Sequence, residues 1–117
     1  MSQTEQFVRD SDNQIRLQLL EDGAAVSGEW TQLDICFGGV TITRAESEDG
    51  VALSTTTGIL TINPGDLTTD EKAAIAALPK KMYRVEIIVT SSENDDGAVF
   101  GGDGSERIYF RISDKPA

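Results

Sequence analysis

From Asn13 to Leu20 apolar and polar residues alternate, with Ile15, Leu17 and Leu19 on one side of an extended chain and Gln14, Arg16 and Gln18 on the other. A period of two is the mark of a strand with one buried face. The same period returns from Glu29 to Phe37, where Trp30 enters near the start and Leu33, Ile35 and Phe37 share a side. It recurs in Val40 to Arg44, in Val51 and Leu53, and in Leu60 and Ile62. The two longest cases come last: Tyr83, Val85, Ile87 and Val89 alternate with Arg84 and Glu86, and Ile108, Phe110 and Ile112 alternate with Arg107, Tyr109 and Arg111. Ile88 interrupts the polar side of its strand, which predicts cover on both faces there. Gly38-Gly39, Asp49-Gly50 and the Thr/Gly segment ending at Gly58 supply turn chemistry, and Asp49-Gly50 reads as a hairpin.

Between the strands at Ile62 and Met82 the period changes. Thr68 stands three residues before Glu71, the spacing of a capping box, and Asp70 and Glu71 lie where the helix dipole favours negative charge. Alanines follow, with Ala74, Ile75 and Leu78 able to share a face, and Pro79 ends the segment. This predicts one short helix over about 68–78. A helix of that length is unstable alone and has to dock through Ile75 and Leu78.

Seven or eight short strands with turn signals between them predict a mostly β fold, a sandwich or a small barrel. The 117 residues suffice for one core, and no internal repeat divides them. The expected organisation is an N-terminal arm at 1–12, a single domain at 13–114 and a short tail at 115–117.

Charge narrows the partners. Twenty acidic and ten basic residues leave a formal charge of −10, which repels phosphate backbones and anionic lipid. Neither nucleic acid nor membrane is therefore expected. The start of the chain lacks the basic and apolar regions of a secretory leader, which predicts synthesis in the cytoplasm. Histidine is absent, which removes the commonest general base and Ser–His or Cys–His chemistry. Cys36, the only cysteine, falls within an apolar strand and reads as a small buried hydrophobe. No catalytic residue is assigned, no cofactor is expected, and the chain reads as a non-enzyme.

Two groups of residues retain chemical interest. Asn94, Asp96 and Asp103 stand at offsets found in calcium loops of the EF-hand type, in an acidic run from Ser92 to Asp103. Calcium held by oxygens is the only metal these residues suggest, and a polar hairpin connection, the preferred reading, explains the same residues. The second group is Arg84, Arg107, Tyr109 and Arg111, which form a basic-aromatic patch if their strands are neighbours. Arg and Tyr anchor protein interfaces. With Phe7 and Val8, the only strongly apolar residues of the arm, these are the candidate interface.

The order of segments NQIRLQLLEDGAAVSGEW, LDICFGGVTI, GVALSTTTGILTI, NPGDLTTDEKAAIAALP, YRVEIIVTSSENDDG and RIYFRIS resembles the small immunoglobulin-like domains of tailed-phage virions. The N-terminal domains of upper baseplate proteins and tail-fibre adaptors are the nearest comparison. The resemblance implies an immunoglobulin-like antiparallel β-sandwich. It also implies a structural role in the virion, as a tail, baseplate or collar adaptor or a capsid decoration subunit. Its partners would be other virion proteins and further copies of itself in a symmetric assembly. The other reading is a small soluble binding module, such as a carbohydrate- or calcium-dependent adhesin domain using the 92–103 segment.

Overall fold

The computed structural model describes residues 2–9, 13–19, 29–46, 48–54, 56–92, 94–101 and 107–114. Among them nine strands run in chain order: β1 (Ser2–Arg9), β2 (Ile15–Gln18), β3 (Trp30–Phe37), β4 (Val40–Ala45), β5 (Val51–Leu53), β6 (Ile59–Ile62), β7 (Met82–Ser91), β8 (Asn94–Gly101) and β9 (Arg107–Asp114). One helix, α1 (Thr69–Ala76), lies between β6 and β7 after a 3-10 turn at Pro64–Asp66.

The strands form two sheets. The larger has the order β1-β9-β7-β3-β4, with β8 also pairing to β7, and the smaller has the order β2-β6-β5. This is the arrangement of an immunoglobulin variable-type domain, whose G-F-C-C′ strands oppose B-E-D. The fold is thus the expected mostly β, immunoglobulin-like sandwich. One pair departs from antiparallel: β1 runs parallel to β9, from Ser2 opposite Arg107 to Arg9 opposite Asp114.

The alternation seen in the sequence selects the core. Ile15, Leu17 and Leu19 from the small sheet meet Leu33, Ile35, Phe37, Val85, Ile87, Val89, Ile108, Phe110 and Ile112 from the large one in a single buried cluster. The expected arm belongs to that core. Because Phe7 pairs with Ile112 it takes the same inward side, and it is 2% exposed. Its ring lies 5.8 Å from Phe37 and 5.7 Å from Phe110, and those two meet edge to face at 5.0 Å.

Two turns read in the sequence connect differently. Gly38 and Gly39, with φ of 58° and 84°, make the tight β3–β4 hairpin that two left-handed residues favour. Gly50, with φ of 102°, instead carries the chain from β4 in one sheet to β5 in the other, so Asp49-Gly50 is a crossing and not a hairpin. β2 and β3 likewise lie in different sheets.

Local contacts close the sandwich on both sides. At β1, the Gln3 amide donates to Gln18 O at 2.7 Å and accepts from Gln18 N at 2.9 Å, so a side chain replaces a strand partner between the sheets. On the β4 side, the capping box forms as expected: Thr68 Oγ1 accepts from Glu71 N, and Glu71 Oε1 accepts from Thr68 N. The same carboxylate accepts two bonds from the Arg44 guanidinium, which also donates to Asp49 O and Thr43 O. Arg44 is buried and points inward from β4. Ile75 docks α1 and Leu78 is half-buried, whereas Ala74 is exposed. At the far end Arg9 donates to Ala76 O and Leu78 O, satisfying helix-end carbonyls. The Tyr83 hydroxyl donates to Pro79 O at 2.8 Å, the tyrosine-corner contact of this fold class.

The Arg44 hydrogen bonds hold the Glu71 carboxyl below its ordinary range, against the opposing effect of burial, and the Thr68 backbone adds to the lowering. A carboxyl lowered on folding stabilises the native state above its unfolded pKa, about 4.3, and loses that contribution as acid protonates it. Replacing it strands a buried cation, which costs about 3 kcal/mol or more. Glu71→Gln is expected to lower denaturant stability by about that amount at neutral pH, with the difference from wild type shrinking as pH falls below about 4. An unchanging difference down to acid pH would contradict the pairing. Phe7→Ala is expected to cost about 3 kcal/mol as a large-to-small core change, read from the denaturation midpoint. A cost near zero would mean that β1 does not join the core.

Candidate functional site

Once the inward faces of both sheets are packed together, the outer face of the large sheet remains. Here β7 and β9 are antiparallel neighbours with Arg84 opposite Tyr109 and Met82 opposite Arg111. Thr4 of β1 pairs with Tyr109 on the other side, and Gln6 pairs with Arg111. The four residues of the basic-aromatic group therefore share one face: Arg84, Arg107 and Arg111 exposed, Tyr109 half-buried between them.

Met82, 45% exposed, is an addition that the sequence reading treated only as a strand start. Its sulfur lies 3.9 Å from an Arg111 guanidinium nitrogen. Its parity with Arg84 and Glu86 was the available signal. At the other end of β7, Ile88 meets Val99 of β8, which leaves Val99 56% exposed. Ile88 is itself half-buried, so the cover expected on its outer side is partial.

The β3–β4 half of this face differs. Asp34 accepts from Thr43 Oγ1 at 2.7 Å and lies within 3.4 Å of the Gln32 amide. Neutral neighbours satisfy it. Cys36 is half-buried on this outer side, because Leu33, Ile35 and Phe37 occupy the inner one. It accepts a weak bond from Thr41 Oγ1 at 3.8 Å, so it is not the core residue that the sequence suggested.

Phe7 and Val8 do not form an exposed anchor. Phe7 is core, and Val8 is half-buried at the edge strand. Lys80 pairs with Asp114 at 3.2 Å, while Lys81 lies 5.2 Å above the Tyr83 ring. Asp114 also receives Arg9, at 2.6 Å, and these partners hold its carboxyl below the ordinary range.

The acidic segment of the calcium reading takes a different form. From Asn94 to Gly101 the chain is strand, and its pairing runs from Asn94 opposite Ser91 to Gly101 opposite Glu86. Those partners stand five positions apart on β7, about 17 Å along the strand. Asn94 and Asp96 lie two apart in β8, and Asp103 lies outside the described residues. Among the described residues no group of three Cys, Asp or Glu side chains is placed to hold a metal ion. No helix among them is long and apolar enough to cross a membrane.

No protein-family model matches the chain, and no curated protein does. Among solved structures, the CD2-binding domain of CD58 (lymphocyte function-associated antigen 3) is similar, with 15% identity and a TM-score of 0.37. The comparison covers 97% of this chain and 54% of that one, so the chain spans about half its length. The immunoglobulin-like assignment rests on the strand order of the two sheets.

Because Tyr109 and Arg111 face away from the core, replacing them is expected to leave stability nearly unchanged. Tyr109→Ala and Arg111→Ala should each shift unfolding by no more than about 0.5 kcal/mol, measured by chemical denaturation. A loss of several kcal/mol would place these side chains in the packing of the fold.

Proposed function

We propose that this chain is a non-enzymatic interaction module whose working surface is the outer face of β1, β9 and β7. The observation that carries the reading is the β7–β9 register. It gathers Arg84, Arg107, Tyr109, Arg111 and Met82 on one face of a chain whose formal charge is −10. Arg, Tyr and Met are enriched where proteins bury surface against one another, and Tyr109 offers area with few rotamers to fix. The surrounding acidity disfavours nucleic acid and anionic membrane as the partner.

The finer assignment is a structural protein of a tailed-phage virion, an adaptor of the tail, baseplate or collar or a decoration subunit of the capsid. What supports it is the resemblance of segment order described above. On this reading the chain is made in the bacterial cytoplasm and works in the particle, bound to other virion proteins.

Quantitative mass spectrometry of purified particles tests the assignment. The chain is expected in a copy number matching the symmetry of the particle, and Tyr109→Ala/Arg111→Ala chains are expected to fold but to be lost from particles. Absence of the wild-type chain from particles would overturn the virion role. Incorporation of the double variant at wild-type level would overturn the face. The calcium-dependent module is distinguished by titration with Ca²⁺: stoichiometric heat that disappears in Asp96→Ala and Asp103→Ala would favour that reading instead.

A further inference from the structure

The basic face has a counterpart on the same molecule. Glu46, Glu48 and Asp49 in the turn after β4, Asp66 in the 3-10 turn and Asp70 at the start of α1 are all exposed. They gather around Arg44, which donates to Asp49 O, feels Glu48 electrostatically and is paired with Glu71 next to Asp70. A Cβ placed on Gly50 would lie 3.4 Å from both Arg44 Nε and Asp66 O, so the turn after β4 and the 3-10 turn come together at this point. Since Glu71 already neutralises Arg44, this corner presents carboxylates to solvent.

Corner and face lie too far apart to meet within one copy. Ala45, at the end of β4, opposes Gln32, which opposes Thr90 on β7. Arg84 is six residues back along β7, about 20 Å, and β4 lies two strands away, about 10 Å more across the sheet. Arg84 near the start of β7 and Arg107 and Arg111 on β9 are three of the ten basic residues, and Lys80 and Lys81 lie just before β7, Lys80 paired with Asp114. The carboxylate corner and the arginine face therefore stand at separate places on the molecule.

Resting on the reading that the outer face is the working surface, we propose that its partner is the acidic corner of a second copy, joined head to tail. Carboxylates of Glu46, Glu48 and Asp49 pair with the guanidinium groups of the β7–β9 face, where the Arg fork suits a carboxylate. Such a contact is heterologous: each copy uses one surface to give and another to receive. Repetition closes a ring if the rotation allows and otherwise extends a filament. Salt dependence carries a signature. At about 0.01 M salt the Debye length, about 30 Å, spans the molecule and copies of net charge −10 repel; at about 0.15 M it falls to about 8 Å and short-range pairing survives. At about 1 M the pairs themselves are screened.

Sedimentation velocity on the full chain tests this with two charge-reversed variants. One carries Arg107→Glu and Arg111→Glu, the other Glu46→Lys and Asp49→Lys. Wild type is expected to form species larger than a dimer, most abundant at intermediate salt. Each variant alone is expected to be a folded monomer by circular dichroism and mass. An equimolar mixture is expected to restore species larger than either monomer, since the intact corner of the arginine variant meets the intact face of the carboxylate variant and the two reversed surfaces carry opposite charges. A wild-type monomer at every concentration and salt overturns self-pairing, while particle incorporation still decides whether the face binds other proteins. A wild-type dimer lost in the arginine variant and kept in the carboxylate variant also overturns it, because the contact is then face to face.

Discussion

Strand β7 is the element on which the rest of the molecule depends. One of its edges pairs with β3 along most of its length, and the other is shared, first with β9 and then with β8. Its inward residues Tyr83, Val85, Ile87 and Val89 are buried at the centre of the core. Because side chains alternate strictly along a strand, the register that buries these four also decides what stands on the outside. A slip of one residue would bury Arg84 and Glu86 and expose Val85 and Ile87. Hydrophobic burial thus fixes the position of the basic-aromatic group, although that group contributes little to stability itself.

Among the described residues no backbone ladder joins the two sheets along their sides, and side chains make the closure. Gln3 mimics a strand partner for Gln18 where β1 meets β2. Arg44 and Glu71 tie β4 to α1 and, through Asp49 and Thr68, to the turns beside it. An ion pair so little exposed resists removal of either partner more than it adds net stability. Its second effect is on the surface: with Arg44 already paired to Glu71, the carboxylates of Glu46, Asp49, Asp66 and Asp70 remain exposed around it. The exposure of these carboxylates follows from a structural lock.

Strand identities and inward faces were legible in the sequence wherever alternation ran for several residues, as at Ile15/Leu17/Leu19 and Ile108/Phe110/Ile112. The helix and its capping box were legible because Thr68 and Glu71 have a local, mechanism-based spacing. Pairing was less so. Asp49-Gly50 has hairpin chemistry, yet which sheet β5 joins depends on contacts with β6, beyond any local signal. The polar composition of Ser2–Arg9 concealed a core strand, since one buried phenylalanine and a full set of backbone bonds to β9 hold it. In β8 the acidic and glycine residues suggested a loop, and pairing with β7 overrode their low strand propensity. The candidate face came through because it followed from two reliable alternations and only their adjacency had to be supplied.

That adjacency can be trapped covalently. In a Cys36→Ser background, cysteines placed at Arg84 and Tyr109 stand directly opposite one another, within the roughly 4.4–6.8 Å between Cα atoms that a disulfide spans. Cysteines at Arg84 and Arg111 are diagonal, about 7–8 Å apart. Under mild oxidation the first pair is expected to cross-link within the monomer and the second to remain reduced. Cross-linking of the second pair in preference to the first would shift β9 against β7 and disperse the face on which the account relies.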